Sequence, residues 1–185
     1  SPYLFELARA DAGRLIRILS CDPESHLAGL IETASRDVLA AGSEADVMVL
    51  LRRMKAEAAL MIALCDIGGV WPVMRVTAAL TDIAVNSVQS ALRYLFRQEV
   101  ARGRMTAADP EHPEVGSGLI VLAMGKMGAG ELNYSSDIDL IVFFDRTATS
   151  LAEDIEPQPF FVRVTQAMAR MLQQRSGEGY VFRVD

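Results

Sequence analysis

Residues 125–141 decide the fold of the second part of the chain, and they read GKMGAGELNYSSDIDLI. This stretch joins two short apolar runs, at residues 119–124 and 138–144. Short continuous apolar runs that are bounded by turn residues are typical of buried β-strands. The sequence therefore predicts a strand, a turn at Gly125, and an Asp-x-Asp segment that enters the next strand.

Asp137 and Asp139 are the acids of the Asp-x-Asp segment. In an extended chain their side chains point to the same face, with Cα atoms about 6.6 Å apart. Two carboxylates placed this way repel each other and raise one pKa unless a cation joins them, and their hard oxygens suit Mg²⁺. By itself the pattern also describes a solvated strand end with two ordinary surface acids. Because Ile141 and Phe143 follow on the same face, we expect the acids at the mouth of a strand that runs inward.

A third acid, Asp185, directly follows a strand-like run at residues 180–184, which we predict to be a third strand. Three carboxylates on adjacent strands can hold two metal ions, which clamp the attacking and leaving oxygens of an in-line phosphoryl transfer. Ten residues, 127–136, separate Gly125-Lys126 from the first acid. The joint pattern favours this chemistry over a surface strand end.

Two other phosphate-binding motifs do not fit this stretch. A Walker-type loop needs four residues between its first glycine and Gly-Lys, but six separate Gly118 from Gly125, and Met127 follows the lysine. A dinucleotide fingerprint that starts at Gly128 would need its third glycine where Asn133 stands.

Residues 2–102 carry apolar positions at helical spacing, interrupted by capping and stop signals. The predicted helices are residues 2–19 with a break at 11–13, a helix from the Asp22 cap to Gly42, one from Ser43 to Gly68, and one over residues 72–102. A loop without periodicity follows at residues 103–117, and a helical stripe returns at residues 160–172. Such stripes are more typical of a helical bundle core than of a membrane-surface helix.

The sequence thus predicts an α+β protein, with an all-helical module at residues 1–115 and an α/β unit at residues 116–185. A length of 185 residues fits one domain or two small ones. Because the chain begins at Ser1 rather than Met and stops directly after a predicted strand, we expect both ends to continue in a longer protein and the α/β unit to be truncated.

Composition excludes several classes of protein. Apolar residues make up 51% of the chain, which rules out wholesale disorder. The net charge of −6, without a basic face or tail, counts against nucleic acid as a partner. Cys21 and Cys65 lie in apolar helical contexts without a CxxC motif, which counts against a disulfide framework or a zinc site. No charge-free stretch approaches the ~20 apolar residues of a membrane span, and no signal-peptide pattern opens the chain, so we expect no membrane partner and a cytoplasmic location.

The joint pattern of glycine turn and Asp-x-Asp resembles the nucleotidyltransferase superfamily typified by DNA polymerase beta. The longer string at residues 125–141 is similar to the glutamine synthetase adenylyltransferase/adenylyl-removing family. The helices look like the same family's helical region, including residues 1–4 and 51–53, so the resemblance covers essentially the whole chain. It implies a polymerase-beta-like nucleotidyltransferase fold for residues 116–185.

The resemblance also implies an activity. Enzymes of this family carry two nucleotidyltransferase units. The N-terminal unit removes AMP from a tyrosine of glutamine synthetase by phosphorolysis, which gives ADP, and the C-terminal unit adds AMP from ATP. Asn133 and the FRVD string at residues 182–185 match the N-terminal unit, since the adenylylating unit tends to have glycine and glutamate at Asn133 and Arg183. Glutamine synthetase and a nitrogen-signalling PII-type protein are the implied partners.

Carried over to this sequence, the resemblance makes Asp137, Asp139 and Asp185 the catalytic carboxylates and the ligands of a two-metal Mg²⁺ site. ATP or ADP and phosphate would be the substrates or products. The Arg-Leu-Arg-Pro segment that the family places after the third aspartate is not within the chain. The 185 residues are therefore expected to hold only part of the site, and they would be inactive alone if the rest is required.

The residues expected to bind nucleotide or phosphate are Gly125, Lys126, Ser135 and Ser136. Gly125 would let the backbone approach the phosphates, and Lys126, one of only two lysines in the chain, would neutralise their charge. The two serines would donate hydrogen bonds to phosphate or cap the turn, and we favour the turn for at least one of them.

Two alternative interpretations stay open. In the first, the chain is a helical regulatory or docking module with a silent nucleotidyl site, because residues 1–102 form its larger part. In the second, the chemistry is the same but the substrate differs, since other members of the superfamily modify nucleic-acid ends or small molecules.

Overall fold

The computed structural model describes residues 2–146, 150–177 and 179–185, and this part of the chain is mostly helical with one small sheet. The elements, in chain order, are α1 Pro2–Ala10, α2 Ala12–Ser20, α3 Pro23–Ala40, α4 Glu44–Ile67, α5 Val73–Ala101, β1 Leu119–Ala123, α6 Gly125–Gly128, β2 Leu140–Phe144 and α7 Pro157–Gln173. The architecture agrees with the α+β prediction. Within the described ranges, no helix combines the length and apolar character needed to cross a membrane.

Side-chain caps set the starts of three helices. The Asp11, Asp22 and Ser43 side chains each accept a hydrogen bond from the backbone N–H three residues later, at 2.9, 2.9 and 3.2 Å. These bonds satisfy donors that have no partner inside the helix. Gly68 caps the end of α4, and Gly69 follows with a φ of +67°, a value that favours glycine. The predicted helix boundaries are confirmed to within a few residues.

The core is built around α4 and α5. Helix α4 packs against α1, α3, α5 and α7, so its apolar side chains are buried on more than one side. Leu51, Met61 and Ile62 of α4 are all almost fully buried. Helix α7 packs against both α5 and β2, and this packing joins the helical part and the sheet in one hydrophobic cluster.

The sheet consists of β1 and β2, which run antiparallel with Val121 opposite Val142. One face packs on α7, where the rings of Phe144 and Phe161 stack with centroids 5.2 Å apart. The opposite face carries Ile141 and Phe143, which are 41% and 52% exposed. The expectation that β2 runs inward on the side of the acids is therefore wrong, because α7 covers the other side.

The prediction of a third strand at residues 180–184 is also wrong. The backbone N–H groups of Val181 and Phe182 both donate to the carbonyl of Leu172 near the end of α7, at 2.9 and 3.0 Å, instead of joining the sheet. What remains is an isolated parallel bridge between Val184 and Ile138, ahead of the first residue of β2. The segment thus first turns back on α7, and only its last three residues, 183–185, pair with residues 138–140 at the start of β2.

Phe161 offers a test of the packing between α7 and the sheet. It is almost fully buried, stacked on Phe144 and set edge to face against Phe160. Phe161→Ala should lower the free energy of unfolding by about 3–5 kcal/mol, because it removes a large buried ring and leaves a cavity. Urea unfolding followed by circular dichroism measures the change. The neighbouring Val162 is 46% exposed on the same helix, and Val162→Ala should stay within about 0.5 kcal/mol of wild type. Equal losses in the two variants would contradict this packing.

Candidate functional site

The turn after β1 begins with a glycine that cannot readily be replaced. Gly125 has a φ of +51°, and a Cβ at this position would lie 2.9 Å from Oδ2 of Asp139. The backbone N–H of Met124 donates to the carbonyl of Asp139 at 2.9 Å, so the sheet pairing extends as far as the turn. Gly125 and the Asp139 carboxylate are therefore direct neighbours. The sequence predicted both residues for the site.

Residues 133–136 form a compact hydrogen-bonded turn just before the first acid. Oδ1 of Asn133 accepts from the Ser135 N–H and from the Ser136 hydroxyl, both at 3.0 Å, and the Ser136 hydroxyl oxygen accepts from the Asn133 N–H at 3.2 Å. Asparagine favours such turns because its side chain bonds to the backbone two residues on. The Ser136 hydroxyl thus serves the turn, in line with the view that at least one of the two serines caps it. The Ser135 side chain is exposed.

Parallel pairing places the three predicted acids on one face. The Ile138 N–H donates to the carbonyl of Arg183 at 3.0 Å, the Asp185 N–H donates to the carbonyl of Ile138 at 3.0 Å, and the Leu140 N–H donates to the carbonyl of Asp185 at 2.9 Å. Since side chains alternate along extended segments, Asp137 and Asp139 share a face with Arg183 and Asp185. The opposite face carries Ile138, which is fully buried in the core.

One of the acids already has a cationic partner. Nε of Arg183 donates to Oδ1 of Asp137 at 2.6 Å, and both side chains are partly exposed, by 61% and 31%. An exposed pair of this kind contributes at most about 1 kcal/mol. Within the described ranges, no group of three or more Asp, Glu, His and Cys side chains is gathered closely enough to hold a metal ion. The acids thus share a face without forming a closed metal cage.

Lys126 lies beside these groups rather than among them. It follows Gly125 in the short helix α6 and is exposed. The hydrogen bonds and ion pairs of the described residues include none between Lys126 and the three acids. The structure therefore places Gly125 against Asp139 and the three acids on one face, and it shows no bond from Lys126 to those acids among the described residues.

Sequence reasoning missed a cavity that adjoins the site. This cavity, which we name the interface cavity, has a volume of about 700 Å³ and is lined on one side by Asn133, Tyr134, Ser135 and Arg183 and on the other by α4 and α5. The Tyr134 hydroxyl donates to Oδ2 of Asp66 on α4 at 3.2 Å. Burial and the neighbouring Asp66 raise the pKa of Tyr134. The cavity depends on contacts between distant parts of the chain, for which a single sequence carries no signal.

Gly128 tests how tightly the turn is packed. A Cβ at Gly128 would overlap the backbone carbonyl oxygen of Ala123 at the end of β1, and the backbone of a paired strand cannot shift aside as a flexible side chain can. Gly128→Ala should therefore destabilise the chain by about 1–3 kcal/mol. A Cβ at Gly29, inside α3, meets nothing within 4 Å, so Gly29→Ala should stabilise the chain by roughly 0.5–1 kcal/mol. Thermal and urea unfolding would report the opposite signs, and a neutral Gly128→Ala would show that the turn is not packed as described.

Comparison with known proteins identifies the family. The family described as glutamate-ammonia ligase adenylyltransferase matches residues 1–185. Similar proteins include the bifunctional glutamine synthetase adenylyltransferase/adenylyl-removing enzymes of Bradyrhizobium diazoefficiens at 76% identity, Rhodopseudomonas palustris strain BisB5 at 68% and Xanthobacter autotrophicus at 52%. Each match covers 100% of this chain but only 19% of the relative. The resemblance of residues 125–141 is confirmed, and the chain belongs to the glutamate-ammonia ligase adenylyltransferase family.

Proposed function

We propose that the chain supplies the metal- and phosphate-binding part of a polymerase-beta-like nucleotidyltransferase unit that removes AMP from a tyrosine of glutamine synthetase. The observation that carries the proposal is the placement of Asp137, Asp139 and Asp185 on one face beside Gly125. The names of the relatives support both the substrate and the reaction, since they mention glutamine synthetase together with adenylyl transfer and adenylyl removal. We also propose the division into a helical module at residues 1–115 and a nucleotidyltransferase unit at residues 116–185.

The reaction is a phosphorolysis. An oxygen of inorganic phosphate attacks the phosphorus of the AMP group, the bond from this phosphorus to the tyrosine oxygen breaks, and ADP leaves with the new phosphorus–oxygen bond. The tyrosine oxygen departs as phenolate and takes up a proton. Catalysis of such a step consists mostly of positioning and of stabilising negative charge on the phosphoryl oxygens.

The carboxylates fit a hard divalent cation. Asp139 and Asp185 lie on paired segments with the same face outward, and carboxylate oxygens are the donors that Mg²⁺ prefers. Mg²⁺ bound there would offset the charge of the phosphates and activate the attacking oxygen. Asp137 can join this set when Arg183 gives up its ion pair.

The other residues of the turn act on the phosphates. Gly125, which has no Cβ to fill the space beside Asp139, leaves room for phosphate oxygens to approach the backbone. The exposed amine of Lys126 and the exposed hydroxyl of Ser135 are available to bind the entering phosphate, whereas the Ser136 hydroxyl is used in the turn. Positive charge and hydroxyl donors beside the acids would hold an anion that the acids alone would repel.

Two residues support removal of AMP, rather than its addition, as the activity of this unit. Asn133 organises the turn through both its side chain and its N–H, and Arg183 contributes a positive charge to the acidic face. The resemblance assigns both to the adenylyl-removing unit. Glutamine synthetase is thus the proposed protein substrate, and a PII-type protein is the proposed regulator.

A second candidate is a helical docking module with a silent site. The Arg183–Asp137 ion pair favours it, because it places a cation of the chain itself on an acid that the metal would need. Magnesium-dependent binding of ADP separates the candidates. In the full-length chimera described below, a thermal shift that requires both metal and ADP and that Asp139→Asn reduces supports the enzyme, because this change leaves the second nucleotidyltransferase unit intact. A shift that Asp139→Asn leaves unaltered supports the docking module.

The activity can be tested in a chimera in which residues 1–185 replace the matching segment of the full-length Bradyrhizobium relative. Asp137→Asn should lower the rate of phosphate-dependent ADP formation from adenylylated glutamine synthetase by about 10²–10³-fold or more, because it removes a charge that stabilises the transition state. Circular dichroism should show an unchanged fold. Glu32→Gln makes the same carboxylate-to-amide change at an exposed position of α3 and should leave the rate unaltered. An Asp137→Asn chimera that releases ADP at the normal rate would sink the site assignment.

Arg183 should compete with a divalent cation for Asp137. We expect Arg183→Gln to tighten Mn²⁺ binding by up to about five-fold, the equivalent of about 1 kcal/mol for an exposed ion pair. Arg183→Lys, which keeps the charge, should retain most of the wild-type affinity, and Arg36→Gln on α3 should change nothing. Calorimetric titration of the metal-free protein measures all three. Weaker Mn²⁺ binding in Arg183→Gln would mean that the guanidinium supports the site instead of competing for it.

A further inference from the structure

The interface cavity lies between the helical part and the candidate site and is assigned no role in the proposed reaction. Its volume of about 700 Å³ falls within the range of pockets that bind small molecules. Its floor is apolar, with small side chains such as Ala59 and Ala63 of α4 that leave space where larger residues would fill it. Ile83 of α5 and Leu132 of the turn complete this floor, and both are buried.

Lys55 brings an unneutralised positive charge to the cavity wall. Its Nζ donates to the carbonyl of Tyr180 at 3.5 Å and lies 4.9 and 4.7 Å from the ring centroids of Tyr180 and Phe182. Of the carboxylates in the described residues, none comes within ion-pair distance of it. Burial lowers the pKa of Lys55 to about 8. The ammonium group of a lysine can donate three hydrogen bonds, and burying its charge without a negatively charged partner is costly. A bound anion would therefore stabilise Lys55.

The remaining charges of the wall reinforce this preference for an anion. Arg175 and Arg183 also line the cavity, and Asp66 is the acid among its described lining residues. Asp66 follows Lys55 by eleven positions on α4, which is about 16 Å along the helix, and its Oδ2 accepts the Tyr134 hydroxyl. The end of the cavity at Lys55 is therefore positive.

Aromatic rings surround the space above the apolar floor. Tyr3, Tyr134 and Tyr180 line the cavity and are 52%, 46% and 36% exposed, so their rings are open to contact. Tyrosine presents a flat apolar face together with a polar tip, and aromatic pairs add to the energy gained from buried area. A flat ligand would stack there with its charged group toward Lys55.

We propose that the interface cavity binds a small aromatic anion, with Lys55 as its counter-ion and the tyrosine rings as its stacking surface. The cavity adjoins the acidic face but differs from it in its ligand, because its positive end is on α4 and the anion needs no metal. Asn133, Ser135 and Arg183 belong to both the cavity wall and the candidate active site. A bound anion would thus contact the helical part and the turn at the same time.

The test uses 8-anilinonaphthalene-1-sulfonate, an aromatic anion that fluoresces in apolar surroundings, with the 185-residue chain in EDTA and without nucleotide. We expect a single saturable site. Lys55→Met should weaken binding at least about ten-fold, because a charged partner is lost. Lys55→Arg should restore most of the affinity. Arg53→Met removes one positive charge from an exposed position of the same helix outside the cavity and should leave binding unchanged.

A second measurement needs no variant. Lys55 and Lys126 are the only lysines of the chain, so acetic anhydride labelling followed by peptide mass spectrometry can report on each of them. Saturating probe should protect Lys55 several-fold and leave Lys126 unprotected. Equal labelling of Lys55 with and without probe would overturn the proposal.

The exposed face of the sheet is the competing place for this probe. If Phe143→Ser removes the fluorescence while Lys55→Met keeps it, the probe binds to the sheet and the proposal is wrong. EDTA and the absence of nucleotide prevent metal and nucleotide from binding at the acidic face. A negative result with the probe therefore says nothing about the proposed phosphorolysis. A positive result likewise does not depend on the proposed reaction.

Discussion

Three backbone hydrogen bonds between residues 138–140 and 183–185 hold the candidate site together. They bring an acid from far along the chain beside the Asp-x-Asp segment, and their parallel register puts Asp137, Asp139 and Asp185 on the same face. A shift of one residue would turn Asp185 toward the core and expose Val184. The fixed register is therefore the constraint on which the arrangement of the acids depends.

Helix α4 supports this register by contacting the segment between α7 and residues 183–185. The buried Arg52 donates to the carbonyl of Gln174 at 2.7 Å, and Lys55, one turn later, contacts both aromatic rings of the returning segment. The carbonyl of Leu172 accepts the N–H groups of Val181 and Phe182, which fixes the turn between α7 and the bridge. Because α4 is itself packed into the core, these contacts anchor the returning segment to the helical part.

The helices could be predicted from the sequence because their signals are local. Asp11, Asp22 and Ser43 cap helices by accepting hydrogen bonds from residues three positions later, so both partners lie within one short stretch of sequence. The sheet is different, since strand alternation predicts two faces but not which one is covered. Here α7 covers one face of the sheet, where Phe161 packs against Phe144, and the face that carries Ile141 is exposed.

The same distinction applies to the candidate site. Gly125, Asp137 and Asp139 stand out in one short string, and the structure places Gly125 against Asp139. The ion pair of Arg183 with Asp137 spans 46 positions and follows from the parallel register, which no local pattern encodes. The interface cavity likewise arises where α4, α5 and the turn meet, so only the folded chain reveals it.

Charge balance explains why these acids can share a face. The segment that delivers Asp185 also delivers Arg183, so its arrival adds one negative and one positive charge instead of a third uncompensated acid. The ion pairs formed by the described residues include Asp137 but neither Asp139 nor Asp185. Under the proposed function, a divalent cation would therefore meet Asp139 and Asp185 first, and Asp137 would follow once the guanidinium has moved. Arg183 then lies on the acidic face and on the wall of the interface cavity at once, so an anion bound beside it would bias which partner the guanidinium takes.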